Sequence, residues 1–194
     1  MLRVIEDFLP LEEAMALREQ ALAAEYEPFY TPGTKAVQVR RAARMPLPAV
    51  VCGLGEALGR PVEAAYSGFR LDYDGELPNS YVHFDGDVSR FAAVYYLNPP
   101  SQCRGGTAFW RHRVTGFNAV PPDATTDIEL AFRIEGNHAD HWMLESIIGM
   151  RWNRCLIYPT SYFHSRYPIE GFGSGPPDGR LVAGVFFDLK EQRL

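Results

Sequence analysis

Three residues of this chain have the types and the order of a metal site that can bind oxygen. His83 and Asp85 are separated by one residue, and a second histidine, His164, follows much later in the chain. In a strand, alternate side chains point to the same face, so His83 and Asp85 can reach one ion together. Two histidines and one carboxylate on one side of an iron ion leave three coordination positions open. The pattern therefore predicts a non-haem iron site of the kind that oxygenases use.

Each of these residues also has an ordinary structural explanation. A His-x-Asp pair occurs by chance at many surface turns, and His164 follows an apolar segment, where a hydrogen-bonded core histidine is common. Arg180 begins an otherwise apolar segment, and a guanidinium that points into a core needs an anion. That anion is either a bound carboxylate or an internal acid. The residues alone leave both explanations open.

The composition predicts one soluble domain. The chain has 194 residues, of which 46% are hydrophobic and 22% are charged, which is enough for one well-buried domain spanning 1–194. The net charge of -5, without a long basic run, argues against nucleic acid as a partner. No apolar segment approaches the roughly 20 residues of a membrane helix, so we expect a cytoplasmic protein without a membrane partner. The cysteines are widely separated and are predicted to be reduced: Cys52, Cys103 and Cys155.

Periodicity predicts that residues 1–61 form a largely helical support. Leu11 to Tyr26 has the pattern of an amphipathic helix that opens after a proline, and the apolar run from Leu47 to Leu58 predicts a second helix. A short alternation from Ala36 to Arg40 is typical of an edge strand. We therefore expect two helices that pack beside a sheet.

From residue 62 to residue 194 the pattern changes to short β-prone segments. The predicted strands are Ser67–Tyr73, Phe91–Leu97, Thr107–Trp110, Arg154–Pro159 and Leu181–Asp188. Residues 111–153 are mixed and polar, and we interpret them as an insertion beside the site, with a short helix around His141 to Ile148. Many short strands with little helix predict a double-sheet jelly roll.

Taken together, these motifs resemble the iron(II) and 2-oxoglutarate-dependent dioxygenases, and most closely their prolyl-hydroxylase-like branch. The resemblance runs from Asp7-Phe8-Leu9-Pro10, which is similar to the opening of that branch before its first helix, to Phe187-Asp188. It implies a mainly β fold with flanking helices, the cupin-like jelly roll that is also called a double-stranded β-helix.

The resemblance also assigns roles to individual residues. By position, the catalytic iron ligands correspond to His83, Asp85 and His164. Arg180 corresponds to the basic residue that binds the distal carboxylate of 2-oxoglutarate, although it stands sixteen residues after His164, a longer interval than is usual in this branch. Residues 111–153 have no counterpart that we can align.

Two tyrosines resemble residues that line the cosubstrate pocket of the family. They are Tyr73, ten residues before His83, and Tyr96. Either tyrosine would equally suit ordinary sheet packing. The Gly105-Gly106-Thr107 sequence is similar to the glycine pair of the family, and a plain turn would look the same.

The function implied by the resemblance is hydroxylation of a small molecule or an amino-acid unit, with Fe(II), 2-oxoglutarate and molecular oxygen. Because Asp85 is a carboxylate rather than a small residue, no ligand position is left for chloride, which disfavours halogenation. Two alternatives remain. One is hydroxylation of a protein side chain, and the other is a non-catalytic jelly-roll module that binds a metal or a ligand and does not bind 2-oxoglutarate. The sequence gives no indication of the oligomeric state.

Further residues in or beside the insertion have types that could bind a ligand. We interpret the remaining histidines as surface or supporting residues rather than as metal ligands: His112, His138 and His141. A weaker hypothesis is a pocket for an anionic or amino-acid-like substrate that is lined by Trp110, Arg111 and Arg113.

Overall fold

The computed structural model describes residues 2–29, 40–75, 81–86 and 88–190. The described residues form mostly antiparallel β-sheet with three α-helices. The helices are α1 (Leu11–Ala23), α2 (Pro48–Leu58) and α3 (Thr126–Glu135). The strands are β1 (Arg3–Ile5), β2 (Glu27–Phe29), β3 (Arg40–Arg44), β4 (Val62–Asp72), β5 (Phe91–Tyr96), β6 (Gly106–His112), β7 (Trp142–Gly149), β8 (Cys155–Pro159), β9 (His164–Tyr167) and β10 (Arg180–Leu189). None of the helices in these ranges is long and apolar enough to cross a membrane.

Two sheets face each other. The major sheet has seven strands in the order β1-β8-β5-β10-β4-β3-β2, and the minor sheet has three in the order β7-β6-β9. Apolar side chains fill part of the space between them, where Phe109 of β6 meets Tyr158 of β8 with ring centroids 5.4 Å apart. The remaining space between the sheets is a cavity that is lined by both charged and apolar side chains.

The two faces of the major sheet have different neighbours because side chains alternate along each strand. On the helix-facing side, Phe69 and Leu181 belong to the largest core cluster, together with Leu17 of α1 and Leu54 of α2. The alternate residues of the same strands point to the minor sheet and form the cavity-facing side. β4 and β10 form the longest antiparallel ladder of the major sheet, and both strands contribute side chains to each of its two faces.

The predicted N-terminal helices are confirmed, although α1 ends at Ala23 rather than at Tyr26. α2 has a proline in its first turn and is followed by Gly59 in the left-handed conformation, which is a common helix ending. The same region also adds three strands to the major sheet, which its helical pattern does not predict. Most of the strand predicted at Ala36–Arg40 lies outside the described residues, and Arg40 is the first residue of β3.

The helix predicted around His141 to Ile148 is wrong, because the residues from Trp142 onwards form β7. This strand pairs with β6 along its whole length, from Gly106 opposite Gly149 to His112 opposite Trp142. Pairing with a neighbouring strand satisfies the backbone N–H and C=O groups and overrides a weak local helix pattern. The excursion from the sheet is therefore shorter than 111–153, since the chain leaves the minor sheet after His112 and returns at Trp142.

Candidate active site

Backbone hydrogen bonds bring His83 and His164 side by side. The two residues form an isolated antiparallel bridge in which the N–H of each donates to the carbonyl of the other, at 3.0 and 2.8 Å. The Asp85 N–H donates to the Thr160 carbonyl at 2.9 Å, which extends the same contact. Two segments distant in sequence are thus fixed against each other at the point where the candidate ligands occur.

The side chains of His83, Asp85 and His164 converge at one place. Nε2 of His83 lies 3.9 Å from Oδ1 of Asp85, and Nε2 of His164 lies 3.3 Å from Oδ2. One ligand atom from each residue lies within 4.8 Å of the others, a spacing that one metal ion can bridge. Phe84, between the first two residues, is buried on the opposite side against Phe163. The structure therefore brings together the three residues that the sequence selected.

The local hydrogen bonds suit a metal ligand. Nδ1 of His164 lies 2.8 Å from the Tyr162 carbonyl, which can only accept, so the neutral ring carries its proton on Nδ1 and presents the lone pair of Nε2 to the cluster. The Tyr158 hydroxyl lies 3.1 Å from that nitrogen. Burial raises the pKa of the Tyr158 hydroxyl well above its ordinary value, so it stays protonated and can donate to Nε2.

Opposing effects act on the pKa of Asp85. Burial raises it, but the neighbouring His164, His83 and Arg70 lower it by more, so that the pKa lies below its ordinary range. A metal cation at the same place would also lower it. Oδ2 of Asp85 is also buried, and no described residue forms a hydrogen bond of standard geometry with it. An ionised carboxylate oxygen beside two imidazole nitrogens fits a divalent transition metal.

Arg180 lies in the wall of the same cavity and is buried. Its Nη1 is 3.3 Å from Oδ2 of Asp72, and its Nη2 donates to the Gly106 carbonyl at 3.4 Å. Of the two explanations for this arginine, the structure thus shows the pairing with an internal acid. Its Nε is buried, and no described residue accepts a hydrogen bond from it. One donor of the guanidinium is therefore not used by the described residues.

Sequence analysis missed several polar residues of the cavity wall. Arg166 donates to Oδ1 of Asp72 at 2.6 Å, so Asp72 lies between two buried arginines. Arg70 lines the cavity and is near enough to Asp85 to lower its pKa. Alternation along the strands could have identified these residues. Arg70 and Asp72 lie two residues apart on β4, and Arg166 lies two residues after His164 on β9, so each pair shares one face of its sheet.

The two tyrosines predicted to line the cosubstrate pocket are placed differently. Tyr73 packs against the core of the helix-facing side, so the structure does not bring it to the cluster. Tyr96 is fully buried, and its hydroxyl lies 2.8 Å from Oγ1 of Thr107, a residue that lines the cavity. Neither tyrosine is among the described residues of the cavity wall. Their contact with a cosubstrate stays a prediction.

The pocket suggested for Trp110, Arg111 and Arg113 has no support in the described residues. The Trp110 indole donates to Oγ of Ser165, and Arg111 forms an ion pair with Glu145. Arg113 donates to the Trp142 carbonyl. None of the three lines the cavity that holds the cluster.

Gly184 of β10 lies in the wall of that cavity. A Cβ atom built on Gly184 would have no heavy atom within 4 Å. The wall therefore has a recess at this position.

A model of the family of unknown function DUF6445 matches residues 2–187. The chain belongs to this family. No curated protein sequence matches the DUF6445 chain.

Solved structures show what the fold is similar to. The non-haem alpha-ketoglutarate-dependent epimerase SnoN from nogalamycin biosynthesis is 14% identical, with a TM-score of 0.58 over 96% of this chain and 77% of its own. A Pseudomonas putida prolyl-4-hydroxylase is 13% identical, with a TM-score of 0.53 over 96% and 91%. HygX from Streptomyces hygroscopicus, solved with nickel, 2-oxoglutarate and hygromycin B, is 14% identical, with a TM-score of 0.53 over 96% and 82%. The predicted jelly-roll fold is confirmed.

Proposed function

We propose that the DUF6445 chain is an Fe(II)- and 2-oxoglutarate-dependent dioxygenase, in which His83, Asp85 and His164 hold the metal. The observation that carries this proposal is the convergence of these three side chains within 4.8 Å of one another in a cavity with a buried arginine. The fold supports it, because SnoN and HygX share the architecture and are described with alpha-ketoglutarate or 2-oxoglutarate. We also propose that residues 1–194 act as one domain.

The metal would supply activation of oxygen, coupled to oxidation of 2-oxoglutarate, for attack on an unactivated C–H bond of the substrate. The chain's own residues position the reactants. His164, held by the Tyr162 carbonyl, keeps its Nε2 lone pair directed at the metal. Asp85 stays ionised, and its place in the cluster favours hydroxylation over halogenation. Tyr158 must give up its hydrogen bond to His164 when a metal binds that nitrogen.

Arg180 is the residue that would bind the distal carboxylate of 2-oxoglutarate. Its Nε lacks an acceptor among the described residues, and a planar guanidinium suits a carboxylate in two-point contact. Asp72 would hold Arg180 in place while sharing its charge with Arg166. With Arg70, the cavity wall has three arginines against the carboxylates of Asp72 and Asp85, a balance that favours a dianion next to a metal cation.

A small-molecule substrate is the version of this function that we favour. SnoN has been solved with a nogalamycin compound and HygX with hygromycin B, and both are small molecules. A protein side chain is the alternative substrate, and the Pseudomonas putida prolyl-4-hydroxylase is the similar structure that supports the prolyl-hydroxylase-like branch. A metal-binding or ligand-binding module without turnover is the alternative from another class.

Anaerobic titration of the Fe(II)-loaded protein with 2-oxoglutarate tests the proposal, because the chelate has a weak visible charge-transfer band. We expect the band in the wild type and no band in His83→Ala. In Arg180→Met the loss of charge-assisted hydrogen bonds should cost about 2 to 4 kcal/mol, roughly 30- to 1000-fold in affinity for 2-oxoglutarate. Arg90→Met is the matched control, since Arg90 is an exposed arginine that pairs with Asp188.

Two results would contradict parts of the proposal separately. If iron binds and 2-oxoglutarate produces no band, the oxygenase assignment fails and the binding module takes its place. If the band forms with equal affinity in the wild type and in Arg180→Met, the metal site stands but Arg180 does not bind the cosubstrate. Arg70→Met would then be the next variant to titrate.

A further inference from the structure

A second cluster of metal-binding side chains lies at the end of the minor sheet, outside the cavity. It consists of His112 at the end of β6, Glu135 at the end of α3 and His141 in a short 3-10 turn just before β7. One ligand atom from each residue lies within 4.8 Å of the other two. Oε2 of Glu135 is 2.6 Å from Nε2 of His112 and 3.9 Å from Nδ1 of His141. The arrangement presents two ring nitrogens to one carboxylate oxygen.

The two histidine nitrogens that face Glu135, Nε2 of His112 and Nδ1 of His141, are buried next to its carboxylate. His112 is only 3% exposed, and no described residue makes a hydrogen bond of standard geometry to its Nε2 or to Nδ1 of His141. On the other side of the His112 ring, Nδ1 is occupied by Thr115, whose hydroxyl lies 3.0 Å away and whose N–H lies 3.4 Å away. Only Nε2 of His112 is therefore directed at the cluster. Apart from the Glu135 carboxylate, no described residue offers Nε2 of His112 a partner, and a cation bound between the two would satisfy both atoms.

We propose that His112, Glu135 and His141 form a second metal site, with Zn²⁺ as its ion. Two imidazole nitrogens and one carboxylate oxygen are a donor set that zinc binds tetrahedrally, with water in the fourth position. Calcium and magnesium prefer oxygen ligands only, which excludes them as the best match. Of the two interpretations of His112, as a surface or as a supporting residue, the first is wrong, because Phe132 of α3 and Trp142 of β7 cover its ring. His138 stays exposed, with its ring stacked on His141 at a centroid distance of 5.2 Å.

The position of this site gives it a structural task. Its ligands come from both ends of the excursion between β6 and β7 and from α3 within it, so one ion would close residues 113–141 into a fixed loop. The segment after α3 contacts the segment that carries His83, since the Val82 N–H donates to the Gly136 carbonyl at 2.8 Å. Phe132 of α3 also packs on Phe163, next to His164, at a centroid distance of 4.9 Å. Zinc would therefore clamp α3 against both segments that carry His83 and His164.

The same helix has one more contact with the first cluster. The guanidinium of Arg133 lies 4.1 Å from the ring centroid of Phe84, between His83 and Asp85. This distance is within the range of a cation–π interaction. A loosened α3 would release this contact together with the Phe132 contact.

Zinc stoichiometry tests the second site without relying on the proposed function. The background is the double variant His83→Ala, Asp85→Ala, in which the first cluster has lost two of its three ligands. After chelation, incubation with zinc and gel filtration, elemental analysis should give one zinc per chain. Adding Glu135→Gln or His141→Ala to this background should reduce the value to none, whereas adding His138→Ala, the matched control, should leave it at one.

Each outcome decides the question. Glu135 is about a third exposed, so Glu135→Gln should fold, and circular dichroism without zinc would verify this. Zinc should raise the melting temperature of the background variant but not that of its Glu135→Gln derivative. Absence of zinc from the folded background variant would overturn the proposal. Retention of zinc by both the Glu135→Gln and the His141→Ala derivatives would overturn it as well.

Discussion

The helix-facing side of the major sheet is apolar, whereas the cavity-facing side of the same strands carries charged residues among apolar ones. Phe69 is fully buried against the helices, and Arg70, the next residue, points into the cavity. Likewise Leu181 lies in the core and Arg180 lies in the cavity wall. Because side chains alternate along a strand, one residue packs in the core and the next residue lines the cavity. We expect substitutions on the first face to change the free energy of unfolding and those on the second to change ligand binding.

The largest effect on stability should come from Phe69→Ala. Removing a fully buried aromatic ring from the core between the sheet and the helices should lower the free energy of unfolding by about 3 to 5 kcal/mol. Urea unfolding, followed by circular dichroism, measures it. Phe69→Leu is the control and should cost less than about half as much. A loss below about 1 kcal/mol in Phe69→Ala would mean that the helix-facing side contributes less than its burial indicates.

Asp72→Asn changes a residue of the cavity-facing side and should nevertheless lower the free energy of unfolding. Arg166 and Arg180 would lose the carboxylate that lies between them, and an uncompensated buried charge is costly, so we expect a loss of about 2 to 4 kcal/mol in unfolding free energy. 2-Oxoglutarate should then raise the melting temperature of Asp72→Asn more than that of the wild type, because its carboxylate replaces the lost one. Thermal melts with and without 2-oxoglutarate measure both effects. Equal stabilisation of the two proteins would argue against an anion site at these arginines.

The smallest effect on binding is expected from Tyr73→Phe. The family resemblance predicts a cosubstrate contact for this residue, whereas its place on the helix-facing side predicts none. We expect the 2-oxoglutarate concentration that gives half of the charge-transfer band to stay within about twofold of the wild-type value, since no hydrogen bond to the cosubstrate is removed. A tenfold rise would favour the resemblance over the position.

Local patterns were sufficient for much of the fold and for the His83 and Asp85 pair of the candidate site. The His83-Phe84-Asp85 spacing by itself predicts that the two outer side chains point to the same side. Alternation from Ser67 to Tyr73 identified β4. The helices α1 and α2 were readable from apolar periodicity, and α1 also from the proline before it. These features depend on neighbours in sequence, which a sequence displays directly.

Features that depend on which strands become neighbours were not predictable in this way. Asp72 meets Arg166 only because β4 and β9 lie in facing sheets. β7 was mistaken for a helix because its conformation is determined by pairing with β6. The cluster of His112, Glu135 and His141 has no recognisable spacing, since its ligands meet only after α3 folds back onto the end of the minor sheet.

The recess at Gly184 allows one position to change the space inside the cavity. Gly184 pairs with Val94 of β5 and with Gly68 of β4, so it lies at the centre of the major sheet. A methyl group there would occupy cavity space without displacing a neighbouring atom. A single substitution at Gly184 would therefore change the space inside the cavity, while the cluster of His83, Asp85 and His164, the arginines and the core stay as they are.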